Sequence, residues 1–436
     1  PRPTVTPENI GLIGIAAMLA LLCLKVPVGI AMIVVSVAGY GYIIRPAAAL
    51  ARLGSDPFTS VTSYAFSVIP LFILMGLFLA NAKLGSDLFT FVNALLGRLR
   101  GGMAMATIGA SALFSSVCGS SIATASTIAT VTVPEMRKYH YHEGLAAGAA
   151  AAGGTLGILI PPSAALVLYG ILTEEPIGKL LIAGLLPGIM TAVILMGAAY
   201  LVARLRPHLA PLDSGAERRA VWPALRQTWA IPAIFGTSIG GIYGGIFTPT
   251  EAGAVGAFLS LAFTSVTGRL SWKSFVGACH QTVRVTAVIF LIVVGGKMFG
   301  YFLTVTRIPL AITGFIAALD VPPLAVIFLL FALYFVMGAL MDEIAILVIM
   351  TPIVYPLITK LGYDGVWFGV LTIMMLLTGL LTPPVGLLSF IVSGLTDVPL
   401  SKVYAGVTPF WIALLVAIAL VIIFPEIVLF LPRLMK

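Results

Sequence analysis

Charge is what this sequence has least of. Asp, Glu, Lys and Arg make up 9% of its 436 residues, against roughly 25% in soluble domains, so a water-soluble fold of this length is excluded. Histidine is scarcer still, four in all. Two of them, His140 and His142, form an H-x-H within RKYHYHEG (137–144), which reads as a solvated loop ahead of a metal site. Cys23, Cys118 and Cys279 stand singly in or beside apolar segments, giving neither a disulfide framework nor metal-ligand spacing. There is no HExxH and no GxxxxGK(S/T), so metalloprotease and P-loop chemistry have no anchor, and ATP is not read as the energy source within this chain.

What is present is apolar: 60% of the residues are hydrophobic. Runs of Leu, Ile, Ala and Val recur from residue 10 to residue 432, several at or near the roughly 20 residues that cross a bilayer as a helix. Barrel strands alternate, and these runs do not, so helices are what satisfy the backbone in lipid. The expected class is an all-α polytopic membrane protein. The formal net charge of +8 sits in short loops rather than on a nucleic-acid face. Arg204, Arg206, Arg218, Arg219 and Arg226 crowd one loop, and Arg269, Lys273 and Arg284 the next basic one. Two spans, about 227–247 and 251–267, lie between, so both loops read as cytoplasmic by the positive-inside rule. Residues 1–9 read as a linker, and 10–44 as two retained spans rather than a signal peptide.

Shifting the chain on itself by 222 residues superposes Ile122 on Ile344, Pro134 on Pro356, Lys138 on Lys360, Tyr141 on Tyr363, Gly157 on Gly379, and Pro161–Pro162 on Pro383–Pro384. Each unit reads alike. An apolar stretch breaks at a small polar or acidic turn, CGSSIATAS (118–126) or GALMDEIA (338–345), resumes, ends at a basic loop, then crosses again and breaks at ILIPPS (158–163) or LLTPPV (380–385). The first breaks predict re-entrant hairpins at 111–136 and 325–358. The second predict broken helices at 143–173 and 364–395, because two successive prolines remove N–H donors and free carbonyls at bilayer depth. Repeated broken helices are the best pointer in a sequence to a transporter's central site. The expected division is scaffold and first arm at 10–100, a first transport repeat at 101–173, scaffold and second arm at 174–322, a second transport repeat at 323–395 and one C-terminal scaffold helix at 396–436.

Freed carbonyls joined by Ser and Thr hydroxyls are hard oxygen ligands suited to sodium, and helix N-termini at the hairpin tips suit an anionic, carboxylate-bearing substrate. Asp342 can act directly or cap a helix, with Glu343 placed behind it. Glu251 follows Thr-Pro-Thr, where Thr250 and Glu251 fit helix-start chemistry. Lys297 and Arg307 can attract an anion or snorkel. The small residues of AAGAAAAGG (146–154) permit close helix packing.

FSSVCGSSIAT (114–124), TLGILIPPSAALVLYG (155–170), GIFTPTEAGAV (245–255), GALMDEIAI (338–346), the LGYD loop (361–364) and GLLTPPVGLLSFIVS (379–393) together closely resemble the large, DctM-type membrane subunit of tripartite ATP-independent periplasmic (TRAP) transporters. The resemblance implies an inverted-repeat, ion-transporter-type fold working as a sodium-driven elevator in a bacterial or archaeal cytoplasmic membrane. It implies a small membrane subunit and a periplasmic substrate-binding protein as partners, and organic-acid cargo such as C4-dicarboxylates, sialic acid or other sugar acids. One sodium site would involve Ser115, Cys118, Gly157, Ile160 and Pro162; the other, Gly338, Gly379, Thr382 and Val385. Relatives commonly carry Ser where Cys118 stands, and a thiol is a poor sodium ligand. The substrate is placed near Ser120, Ser121 and Asp342. The alternatives are a stand-alone sodium or proton symporter and, in a different class, an intramembrane enzyme, for which no convincing catalytic set is present.

Overall fold

The computed structural model describes residues 6–82, 84–211, 221–318 and 321–435, the side chains of 316–318 excepted; Arg218, Arg219 and most of the N-terminal linker lie outside them. The described residues form twenty-one α-helices with short 3-10 turns and no strand. Both predicted hairpins are present. The first has limbs Gly102–Cys118 and Ser121–Lys138, the second Pro323–Gly338 and Glu343–Lys360. At 1.5 Å per residue the longest of these limbs reaches roughly 27 Å, about the thickness of the hydrocarbon layer, but each pair turns back at its tip. The first hairpin begins nine residues earlier than the sequence reading placed it, at Gly102, after the N-cap Gly101 with its φ of +72°. Both broken helices are present as well, as Glu143–Thr155 with Ala164–Thr173 and Gly365–Leu381 with Leu387–Thr396.

Shifted by 222, Ser121–Lys138 falls on Glu343–Lys360 at both ends, and Ile177–Leu205 falls on 399–427, beside Leu400–Ile423. The repeat also runs through helices outside these hairpins and breaks, where the sequence alone did not reveal it. Pro7–Cys23 falls on 229–245, beside Ala230–Tyr243; Val28–Ile43 falls on 250–265, inside Pro249–Val266; and Leu84–Leu96 falls on 306–318, beside Ile308–Ala318. The halves interlock by exchanging partners. Val28–Ile43 packs on the long helix Trp272–Thr306, and its counterpart Pro249–Val266 packs on Val68–Asn81. The outer limb of each hairpin likewise packs on the second segment of the other half's broken helix.

Contacts between loops show that the two units enter from opposite ends. At one end, with Arg98, Arg100, Arg137, Lys138, Arg204 and Arg206, the base of the first hairpin lies beside the start of Leu400–Ile423, where Lys402 Nζ binds Glu143 Oε2 at 3.0 Å. The His142 N–H there donates to the Leu209 carbonyl at 2.9 Å. At the other end the second hairpin's base is held by Tyr355, whose hydroxyl donates to Glu175 Oε1 at 2.7 Å, and by the Tyr169 hydroxyl donating to the Gly365 carbonyl at 2.9 Å. An inverted repeat requires this arrangement.

The expected single C-terminal helix is corrected to two, Leu400–Ile423 and Glu426–Leu434, divided at Phe424 and Pro425, where proline cannot supply the next helical N–H. Thr248, rather than Thr250, caps Pro249–Val266. It accepts from Glu251 N–H at 3.3 Å, while Glu251 Oε2 accepts from Thr248 N–H at 2.8 Å, so Glu251 completes a reciprocal capping box.

Candidate functional site

Five helix starts around the hairpins and breaks depend on side-chain caps. Ser120 Oγ accepts from Ala123 N–H at 3.3 Å, Asp342 Oδ2 from Ile344 N–H at 3.2 Å, Ser163 Oγ from Leu166 N–H at 3.1 Å, His142 Nδ1 from Gly144 N–H at 3.1 Å and Asp364 Oδ1 from Trp367 N–H at 2.9 Å. Ser120 and Asp342 are 222 residues apart, as are His142 and Asp364, so the repeat extends to the chemistry that starts each helix. His142 is thereby a helix cap beside Glu143 and makes no metal-ligand cluster; among the described residues none is present.

The first cradle forms where the first hairpin meets the first break. Gly119 ends the inner limb with φ +67°, a conformation glycine adopts freely, and a Cβ there would lie 2.5 Å from the Pro162 carbonyl oxygen. Gly157 lies against the Ser120 carbonyl and Thr124 Oγ1. Ser115, Gly157, Ile160 and Pro162 are all buried, and Cys118 is half-buried. The Ser115 hydroxyl donates to the Ser111 carbonyl at 2.6 Å, leaving its lone pairs free to accept or ligate. Among the described residues no N–H or side-chain donor reaches the carbonyls of Ile160, Pro161 or Pro162, whereas the Ile158 carbonyl is taken by the Ser163 hydroxyl. Thr124 Oγ1 is buried with no hydrogen-bond partner. Hairpin tip and break therefore meet around several unclaimed oxygens. The Ile160 side chain turns the other way, onto Gly188, so only its carbonyl is a candidate.

The second cradle joins the second hairpin to the second break through backbone. A Cβ on Gly379 would lie 2.6 Å from the Gly338 Cα, so these two glycines let the helices cross in direct contact. Thr382 caps Gly365–Leu381, its N–H donating to the Gly379 carbonyl at 3.0 Å and its hydroxyl to the Thr378 carbonyl at 2.6 Å. Val385 is 41% exposed, and its carbonyl accepts from the Tyr404 hydroxyl at 2.9 Å. Gly338, Gly379 and Thr382 thus come together, with Val385 drawn toward Tyr404.

The two hairpin tips touch at repeat-equivalent positions. The Ser121 hydroxyl donates to Glu343 Oε1 at 2.7 Å, 222 residues away. Ser121 is fully buried and Glu343 is 4% exposed. Beside this contact lies a cavity of about 130 Å³ lined by Cys118, Gly119, Ser120, Glu343 and Gln281 and by apolar side chains of Val68–Asn81 and Trp272–Thr306. Ser120 and Ser121 are where the sequence reading placed the substrate. Asp342 is present as a cap, and the residue turned inward is its neighbour Glu343. Thr124 and Gln281 were not singled out from sequence. The only trace of Thr124 was its place in CGSSIATAS, and Gln281 lies in the basic half of a long helix with nothing to distinguish it.

Lys297 is half-buried, its ammonium 5.8 Å from the centre of the Phe66 ring, in an open cleft of about 620 Å³ that also includes Glu174, Glu175 and Thr248. Arg307 is exposed at the end of Trp272–Thr306, which it caps with φ +61°. Cys118 lines the cavity, but Cys23 and Cys279 do not.

Comparison with known proteins finds that the family model described as "Tripartite ATP-independent periplasmic transporter, DctM component" matches residues 15–427. The sialic acid TRAP transporter large permease protein SiaM of Vibrio cholerae is 32% identical over 95% of this chain and 97% of its own. The C4-dicarboxylate TRAP transporter large permease protein DctM of Pseudomonas aeruginosa is 33% identical over 86% of this chain and 88% of its own. A crystal structure of the Alcanivorax borkumensis YdaH transporter, described as having an unusual topology, superposes with a TM-score of 0.62 at 15% identity, over 88% of this chain and 90% of that one, a likeness of fold.

Proposed function

The chain belongs to the DctM component family of tripartite ATP-independent periplasmic transporters, transport permeases rather than enzymes, and from that premise we propose that it is the sodium-coupled carrier of a binding-protein-dependent importer of small organic acids. It works in a bacterial inner membrane with a small membrane subunit, and a periplasmic binding protein delivers its substrate.

The observation that carries this reading is the buried meeting of the two hairpin tips at Ser121 and Glu343, flanked by two broken helices in an inverted repeat, the arrangement in which carriers bind substrate near the bilayer midplane. Sodium fits the first cradle. Unclaimed carbonyls at Ile160, Pro161 and Pro162, the Thr124 hydroxyl and the Ser115 oxygen are hard ligands, and buried oxygens left unsatisfied are costly. Cys118 supplies no such ligand through its thiol. In the second cradle the carbonyls of Gly338 and Gly379 and the oxygens of Thr382 are the candidates. Helix N-termini at Ser121 and Ala164 direct N–H groups toward a substrate carboxylate. Hairpins and broken helices move together against the scaffold, an elevator-type exchange of access.

The test is uptake into proteoliposomes holding this chain with its small subunit, given the cognate binding protein and a panel of labelled organic acids, with and without an inward sodium gradient. Uptake that requires both sodium and the binding protein supports the proposal. Sodium-driven uptake without the binding protein makes the chain a stand-alone symporter, and uptake indifferent to sodium removes both cation sites.

A further inference from the structure

The cavity at the hairpin tips contains an acid and no base. Among its described lining residues Glu343 is the only charged one. Its two oxygens differ: Oε1 accepts from Ser121, whereas Oε2 is buried without a hydrogen-bond partner. A buried acceptor left unpaired is destabilising, more so when charged, and no Lys, Arg or His lines the cavity to neutralise it. A substrate carrying nothing but carboxylates would therefore find favourable N–H groups at the helix starts and an unfavourable Glu343 beside them. A substrate with a hydrogen-bond donor next to its carboxylate would satisfy both poles at once. At about 130 Å³ the space is well below the roughly 300–1,000 Å³ of clefts that hold drug-sized ligands.

We propose that Glu343 is a specificity-determining residue that accepts a hydrogen bond from a hydroxyl or protonated amino group of the substrate, so that the cargo is a compact hydroxy or amino acid in preference to a plain carboxylate of the same skeleton. This rests on the organic-acid reading above. The carboxylate end of the substrate faces the N–H groups at Ser121 and Ala164, and Gln281 of the helix Trp272–Thr306 lines the same cavity. Discrimination follows from pairing: a site built around a buried polar group rejects the analogue that leaves that group unsatisfied far more strongly than a greasy pocket rejects a missing methylene.

Two measurements test this, and the first does not depend on transport. The purified full-length chain is melted with malate against succinate and with lactate against propionate, pairs that differ by one hydroxyl. The hydroxy acid is expected to raise the melting temperature more in each pair; an equal shift, or none, overturns the proposal. In the second, binding-protein-dependent uptake by the assembled transporter is competed with the same pairs, where a preference of about tenfold or more is expected. Glu343→Met is expected to abolish that preference, and Glu343→Gln, which keeps the shape if the methionine variant fails to fold, to reduce it severalfold. Undiminished preference in either folded variant overturns the assignment to Glu343. Melting shifts that follow the hydroxyl in a wild-type protein without sodium-dependent or binding-protein-dependent uptake would instead overturn the transport reading and leave this one standing.

Discussion

The two breaks are built from the same letters and end in different surroundings. Residues 156–162 of the first are buried throughout, inside the packing of its own hairpin and the helix Ile177–Leu205. In the second, Pro383, Pro384 and Val385 are exposed, and the Tyr404 hydroxyl reaches the carbonyls of Pro384 and Val385 at 3.3 and 2.9 Å. The position 222 residues before Tyr404 is Ile182, which offers no hydroxyl. The first cradle thus presents unclaimed oxygens to a closed interior, and the second shares its oxygens with a tyrosine at an open cavity of about 220 Å³. An inverted repeat fixes which elements correspond, but exposure follows what each happens to pack against, and that differs between halves.

The largest effect is expected where the second cradle has no room at all. Gly379→Leu places a side chain against the Gly338 backbone, and overpacking of a tight crossing costs about 1–3 kcal/mol or more. Reconstituted uptake should fall below detection, with a lowered melting temperature; uptake within a few-fold of wild type would mean that the hairpin and broken helix are not locked there.

Next come the paired caps. Ser120→Ala and Asp342→Ala each remove one helix-start bond, for about 0.5–2 kcal/mol apiece, so thermal melts of the two variants should drop alike, with Asp342→Ser near wild type. A drop confined to Asp342→Ala, unrescued by serine, would show that Asp342 does more than cap and would break the equivalence of the tips.

Tyr404→Phe should cost about 1 kcal/mol and speed amide exchange around 381–387 without changing 156–163. Exchange that rises in both segments would show that the two breaks are coupled.

The smallest effect concerns pH at the basic end. The Glu143 carboxyl is held below its ordinary range chiefly by its hydrogen bond to Lys402, with Arg137 and His142 adding to it. A lowered folded-state value contributes stability above the ordinary carboxylate range, lost as pH falls through the lowered value. Lys402→Met should therefore lower the melting temperature slightly at neutral pH and leave the acid end almost unchanged, flattening the profile between them. A variant whose profile overlays wild type at every pH would show that this link between the halves contributes nothing measurable.

Much of this was legible in one dimension because its signals are local. Proline pairs 222 residues apart interrupt helices wherever they occur, and CGSS and MDE interrupt apolar runs wherever they occur, so hairpins and breaks could be placed before any packing was known. The repeat among the remaining helices was not legible, since Val28–Ile43 and Pro249–Val266 match only in apolar letters that are common throughout this chain. The sequence reading put Asp342 ahead of Glu343, whereas in the fold Asp342 caps the helix start and Glu343 meets Ser121. They are neighbours, and which one caps and which turns inward depends on a rotation of about 100° around a helix axis.

By itself, then, the sequence determined that the chain is helical and lies in a membrane, that it is two related units, and where each unit unwinds, because backbone donors missing at proline and apolar length are properties of the chain alone. Only the tertiary structure decided that the units enter from opposite ends, that Ser121 meets Glu343, and that one break is buried and the other open. Those outcomes depend on which surfaces pack together across some two hundred residues of chain.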